Sequence, residues 1–279
     1  MSFPILTSSI NIFHAVGDSV VEDVRRFIED GVDVNAINAN NGLAPIHLVD
    51  NEMILMPLLE AGAEIDARTP DGSSALLLAA KEGKTEFVRV LLDNNADSEL
   101  KNENGDTAAH LAIESGNLET LRLLQEFGVN IDEKNNNDYT PLHRAVETGN
   151  IDIVNLLSDS GANITAKTKT GWTPLHKAVR GSRTAIVELL INKGAAIDVK
   201  NQQGQSPIHF SNWCSTEVVK LLVQNGANIN EKTDDRKTPI YISAEAGKRE
   251  TVDFLLAKGA DPYLADKEGR TAVDVDQTG

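Results

Sequence analysis

An all-α repeat solenoid, built from stacked helix-turn-helix pairs joined by β-hairpin fingers, is the fold class that this 279-residue chain predicts. Three observations predict it. The stretch Asp138-Tyr139-Thr140-Pro141-Leu142-His143-Arg144-Ala145-Val146-Glu147-Thr148-Gly149-Asn150 returns along the whole length, the Thr140 position recurring as Asn11, Ala44, Ser74, Thr107, Thr173, Ser206, Thr238 and Thr271. The steps between those positions are 33, 30, 33, 33, 33, 33, 32 and 33 residues, the period of a small supersecondary unit that stacks on its own copies. A unit of this size encloses no core of its own, so its apolar stripes must be covered by neighbouring units.

Within one unit, Thr140 offers the side-chain oxygen of a helix N-cap, and Pro141 follows at the first helical position, where its missing N–H costs nothing. The helix runs through Ala145, matched by Ala79, Ala112 and Ala178, small residues that let neighbouring helices approach at the short end of roughly 8–10 Å. Gly149 ends it, as Gly83 and Gly116 do in the same column. Asn150 caps a second helix whose stripe Ile151, Ile153, Val154, Leu156 and Leu157 asks for burial, and Gly161 stops it. Ala162-Asn163-Ile164-Thr165-Ala166 and the turn at Gly171 predict the outstretched finger. The Thr-Pro-Leu-His start, in eight registered copies, resembles the ankyrin repeat family. The resemblance covers nearly the whole chain and implies one ankyrin repeat domain over 1–279 with a concave face of fingers and first helices. Its repeats are expected at about 8–40, 41–70, 71–103, 104–136, 137–169, 170–202, 203–234, 235–267 and an incomplete 268–279.

In chain order, the first repeat reads as a cap, turning Val20, Val21, Val24, Phe27 and Ile28 inward and Glu22, Arg25, Arg26 and Glu29 outward. The second has lost about a turn, because Asn51 follows His47 by four residues where Asn117 follows His110 by seven. Pro57 stands in its second helix in the column of Leu123, Leu156 and Leu189, which predicts a kink and a weak seam. The third to sixth repeats are regular apart from Leu77 in the His column and Asp138 in the finger Gly column, where Asp tolerates the left-handed conformation. In the seventh, Phe210-Ser211-Asn212-Trp213-Cys214 replaces the usual end of the first helix. In the eighth, Tyr241 replaces His and Arg236 replaces Gly, which predicts a changed turn type. After Asp274 a second helix is missing, which fits either a fragment of a longer array or a partner that covers the last apolar face.

The six histidines, His14, His47, His110, His143, His176 and His209, share one repeat column. The family resemblance implies a structural clip there, and copies roughly 8–10 Å apart do not share a metal bound at about 2 Å. With the single Cys214 lacking a partner motif, no nucleophile and base set, zinc spacing or phosphate loop is visible, and no catalysis and no cofactor are expected. A lone cysteine fits a reducing compartment, cytoplasmic or nuclear, and neither a signal peptide nor a membrane span is visible. The net charge of −16 argues against nucleic acid. It is unevenly spread: residues 1–66 hold 11 acidic and 2 basic side chains and 67–133 hold 13 and 6, whereas 134–200 hold 6 and 9 and 201–279 hold 12 and 9.

In the ankyrin family, partners are commonly gripped by finger tips and the exposed ends of first helices. The resemblance maps the first set onto Ser73, Asp106, Tyr139, Trp172, Gln205, Lys237 and Arg270. It maps the second onto Lys81, Glu82, Glu114, Ser115, Glu147, Thr148, Arg180, Trp213 and Cys214. Tyr139, Trp172 and Trp213 fall in three successive repeats, with Arg144, Lys177 and Arg180 beside them, inside or next to the one basic window. These six are the expected partner-binding residues. They imply a monomeric, non-catalytic interaction module for a protein or peptide that carries acidic residues and aromatic or aliphatic anchors. The uncovered C-terminal end alone would favour self-pairing. Two other readings stand beside this one: the recognition part of a larger effector or enzyme, and a nucleotide-like ligand held by Trp172 and Lys177.

Overall fold

The computed structural model describes residues 11–276; the opening segment, where no signal peptide is expected, and residues 277–279 lie outside the described residues. The chain forms two compact units that meet in sequence at Asn130 and Ile131. The first contains α1 (Ile12–Gly17), α2 (Val21–Glu29), a single 3-10 turn at Pro45–Leu48, α3 (Glu52–Glu60), α4 (Ala75–Glu82), α5 (Thr85–Asp93), α6 (Ala108–Ser115) and α7 (Leu118–Glu126). The second contains α8 (Pro141–Thr148), α9 (Ile151–Asp159), α10 (Pro174–Arg180), α11 (Thr184–Asn192), a 3-10 turn at Pro207–Phe210, α12 (Thr216–Gln224), α13 (Pro239–Glu245), α14 (Arg249–Ala257) and α15 (Ala272–Val275).

Both units are stacks of helix pairs, as the period predicts. In the first, α4 packs on α6 and α5 on α7; in the second, α8, α10, the 3-10 turn, α13 and α15 form one row and α9, α11, α12 and α14 the other. Ala79, Ala112, Ala145 and Ala178 are buried in the first-helix rows, which explains why that column stays small. Gly83, Gly116 and Gly149 take φ of 69°, 70° and 80° after their helices, left-handed caps that glycine adopts without strain. Asn150 caps α9 through its side-chain oxygen, which accepts from the N–H groups of Asp152 and Ile153. The fingers keep their turns but form no strand among the described residues. Neighbouring fingers are joined by single bonds such as Lys169 N–H to Asn137 O, 3.1 Å, and Gln202 N–H to Thr170 O, 3.1 Å.

The histidine column links repeat to repeat. In His143 and His176 the ring is buried and neutral: Nδ1 of His143 accepts from the Thr140 N–H at 3.2 Å and pairs with Thr140 Oγ1 at 3.0 Å. Nε2–H then donates to Trp172 O, the residue just before the next start, and His176 reaches Gln205 O in the same way. His47 and His209, whose first helices are single 3-10 turns, instead reach Ala67 O and Glu231 O, each seven residues before the next start. The clip therefore survives the shortened steps by changing carbonyl. His14 is the exception, exposed and bonded to Asn11 Oδ1 within its own start.

Several side chains depart from their columns. Helix α3 runs unbroken through Pro57; the carbonyl that Pro57 cannot bond belongs to Met53, an exposed residue whose backbone water can solvate. Ile151 and Val20 are exposed rather than inward, because each stands at the solvent edge of its helix start. Arg236 overturns the expectation of a changed turn. It takes φ of 63°, and its N–H still donates to Thr233 O at 2.8 Å, as Gly204 does to Asn201 O at 3.1 Å. The turn is fixed by the stack, and arginine bears a left-handed cost of roughly 1–2 kcal/mol. Arg236→Gly is accordingly expected to raise the stability of the fold by about 1 kcal/mol in urea unfolding, with Asp138→Gly giving a smaller gain because Asp tolerates its φ of 57° better.

Burial lowers the pKa of His143 and His176 to about 4 and moves His209 in the same direction. The unfolded histidines titrate near 6.5, so the stability these groups contribute is complete above that pH and is lost as pH falls towards 4, where only the unfolded chain takes up the protons. Urea unfolding across that window is expected to lose about 1.4 kcal/mol per pH unit for each such histidine. His143→Gln should flatten the slope by one histidine's share. An unchanged slope in this variant would remove His143 from the account.

Candidate functional site

The second unit brings five of the six expected residues into one strip. Tyr139 and Trp172 stand at the ends of successive fingers, just before the starts of α8 and α10. Lys177 and Arg180, three residues apart, share one face of α10. Trp213 lies in the turn that replaces the lost end of a first helix, and it is 62% exposed. Lys177 Nζ sits over the Tyr139 ring at 4.6 Å and over the Trp172 ring at 5.1 Å. The Arg180 guanidinium carbon lies 5.5 Å from the Trp172 centroid and 5.7 Å from that of Trp213. Aromatic rings and cations thus alternate across three repeats, each pair attracted through the negative ring face. Arg144, the sixth, is half-buried on α8.

Two further residues complete the strip. Glu147 accepts from Lys177 Nζ at 2.8 Å and from Tyr139 Oη at 3.1 Å, while Lys177 also reaches Tyr139 Oη. Its own backbone carbonyl takes a hydrogen bond from Arg183. The sequence carried a signal for this pairing, because Glu147 lies eight residues after the pre-start Tyr139, and Lys237 pairs with Glu245 at the same spacing, 2.9 Å apart. Phe210 packs on Trp172 with ring centroids 4.6 Å apart. Trp172 therefore already has Phe210, Lys177 and Arg180 around its ring, and a nucleotide base would have to displace one of them. Glu147, Lys177, Arg180, Gly181 and Arg183 line a shallow basin of about 240 Å³ beside the strip.

Other mapped positions fail on burial. Ser73 and Asp106 are enclosed, and so is Cys214, which was grouped with the exposed helix ends; losing the helical turn swings its side chain inward. Desolvation pushes its thiol up to about 12.

The comparisons with known proteins agree with the repeat pattern. A family profile described as ankyrin repeats in three copies matches residues 12–102, 48–135, 76–168, 165–233 and 211–275. The chain belongs to the ankyrin repeat family. Among solved structures it is similar to the ankyrin repeat domain of Bcl-3, described as a unique member of the IkappaB protein family. The two share 29% identity over 77% of this chain and 99% of that one, with a TM-score of 0.68. No curated protein matches the sequence. Among the described residues, no helix is long and apolar enough to cross a membrane, and no group of three or more His, Cys, Asp or Glu is placed to hold a metal ion.

Cys214 gives a simple check of the burial correction. Iodoacetamide at pH 8 is expected to label the urea-unfolded chain fully and the native chain slowly, since a buried thiol with so high a pKa presents little thiolate. Equal labelling rates would return Cys214 to the surface.

Proposed function

We propose that this ankyrin repeat chain is a non-catalytic interaction module that grips a protein or peptide partner through the strip Tyr139, Lys177, Trp172, Arg180 and Trp213, with Arg144 at its margin. The observation that supports it is the alternation of rings and cations ending in a largely exposed tryptophan. Tryptophan, tyrosine and arginine are the side chains that dominate interface energetics, and an exposed indole backed by a packed neighbour presents apolar area at little entropic cost. A partner of complementary character carries acidic residues and an aromatic or aliphatic anchor. The net charge of +3 over 134–200, in a chain of −16, favours such a partner at this place and nowhere else along the sequence.

The test is affinity capture from extract, followed by affinity measurement with Trp172→Ala and Trp213→Ala after circular dichroism and melting have shown both variants folded. Trp172→Ala keeps the backbone carbonyl that His143 bonds, so the clip remains. Each substitution is expected to weaken binding by roughly 30-fold, the effect of a hot-spot residue. Binding that survives both within about twofold would move the interface to the acidic residues 1–133.

A further inference from the structure

The basic window 134–200 is less available than its sequence charge implies. Lys134, Lys167 and Lys200 each donate to the backbone carbonyl of the next finger, at Lys167, Lys200 and Lys232. Lys193 is paired with Asp159, Lys177 with Glu147, and Arg183 with the Glu147 carbonyl. Arg180 differs. Among the described residues its guanidinium makes ring contacts with Trp172 and Trp213 and no hydrogen bond or ion pair. Arg180 is exposed, and ring contacts, unlike hydrogen bonds or ion pairs, leave its N–H fork without an acceptor of its own. That fork matches a carboxylate in two parallel hydrogen bonds.

Resting on the interaction-module reading, we propose that Arg180 is the acid-reading residue of this surface: its fork takes one Asp or Glu carboxylate of a partner segment, whose neighbouring aromatic or aliphatic side chain lies on the exposed face of Trp213. Lys177 does not share that role. Its side chain is only 13% exposed, and the Glu147 carboxylate already occupies it, so Glu147 stands within the chain where a second partner acid would otherwise bind.

The experiment selects phage-displayed dodecapeptides on the full chain, then measures the best peptide as a synthetic compound by calorimetry. Selected peptides are expected to share an Asp or Glu next to an apolar residue. Replacing that acid by its amide, or Arg180 by Ala, should each cost about tenfold, and the two together little more than either alone, because both remove the same contact. Arg180→Lys should lose nearly as much, since an ammonium has no planar fork. Lys177→Met should lower affinity for the acid peptide and for its amide by the same factor, because its place is in the strip and not on the partner's carboxylate, and Glu147→Gln should tighten binding of peptides with a second acid. Peptides without an acid, no peptide at all, or an acid-to-amide effect that vanishes in Lys177→Met and persists in Arg180→Ala would overturn the proposal. If Trp172→Ala and Trp213→Ala weaken binding while Arg180→Lys binds like the parent, the surface stands and the fork assignment fails. If none of these variants matters, the surface itself is wrong and the assignment falls with it.

Discussion

A neutral imidazole bridging one repeat to the next is the constraint on which the second stack depends. His143 shows why the ring has to be neutral: Nδ1 receives the Thr140 N–H and hydroxyl while Nε2–H is given to Trp172 O, so one nitrogen must accept and the other donate. Protonation would set two donors against each other at Nδ1, in a site where burial already penalises charge. The ring thus works as a directional linker of nearly fixed length between backbone groups of consecutive units. Where the step to the next start is 33 residues, the acceptor is the residue before that start; where it is 30 or 32, as after His47 and His209, the acceptor lies seven residues before it. The backbone loop preceding each start supplies both carbonyls, and so deletions of one to three residues leave the clip intact.

The strip of rings and cations is a by-product of that bridge. A residue whose carbonyl is tied to the preceding histidine has its backbone fixed and its side chain directed along the ends of the first helices. Trp172 occupies such a position, so its backbone serves the fold while its ring gathers Lys177, Arg180 and Phe210. Tyr139 holds the corresponding place one repeat earlier, which lets Lys177, 38 residues further on, meet it across the stacking direction. The shortened first helix of the seventh repeat contributes in another way. By ending at Phe210 it turns Cys214 into the core and leaves Trp213 outside, beside Arg180.

Helix starts, glycine caps, the second-helix stripe and the histidine column were all legible in the sequence, because each is a local rule repeated often enough for departures to stand out. Column logic failed where one side chain's surroundings differ from those of its column. Arg236 keeps a turn that its own preference opposes, since neighbouring fingers fix the path of the chain. Ile151 sits in an apolar stripe yet faces water at the first turn of α9. Cys214 moved with a lost helical turn that spacing alone located but could not orient. For the strip, composition named the right residue types and the repeat gave their columns. That Lys177 is paired with a carboxylate and Arg180 is not was not legible, because it depends on Glu147, which reaches Lys177 only after the two repeats have stacked.

Sequence charge and available charge are therefore different quantities in a repeat protein. The excess of basic residues over 134–200 looks like a broad positive patch, but a lysine that donates to a neighbouring finger's carbonyl is held in place by the fold, and one that meets a carboxylate is neutralised locally. Their charge still contributes to the potential that steers an acidic partner within about 8–10 Å of the surface. Short-range recognition depends instead on cations whose donors remain unused. Stacking on indole achieves this for Arg180, because ring faces attract the charge without consuming its N–H groups, whereas a salt bridge would have fixed the side chain and spent its donors together. An exposed arginine without such support would pay more rotamer entropy on binding than one already held between two tryptophans.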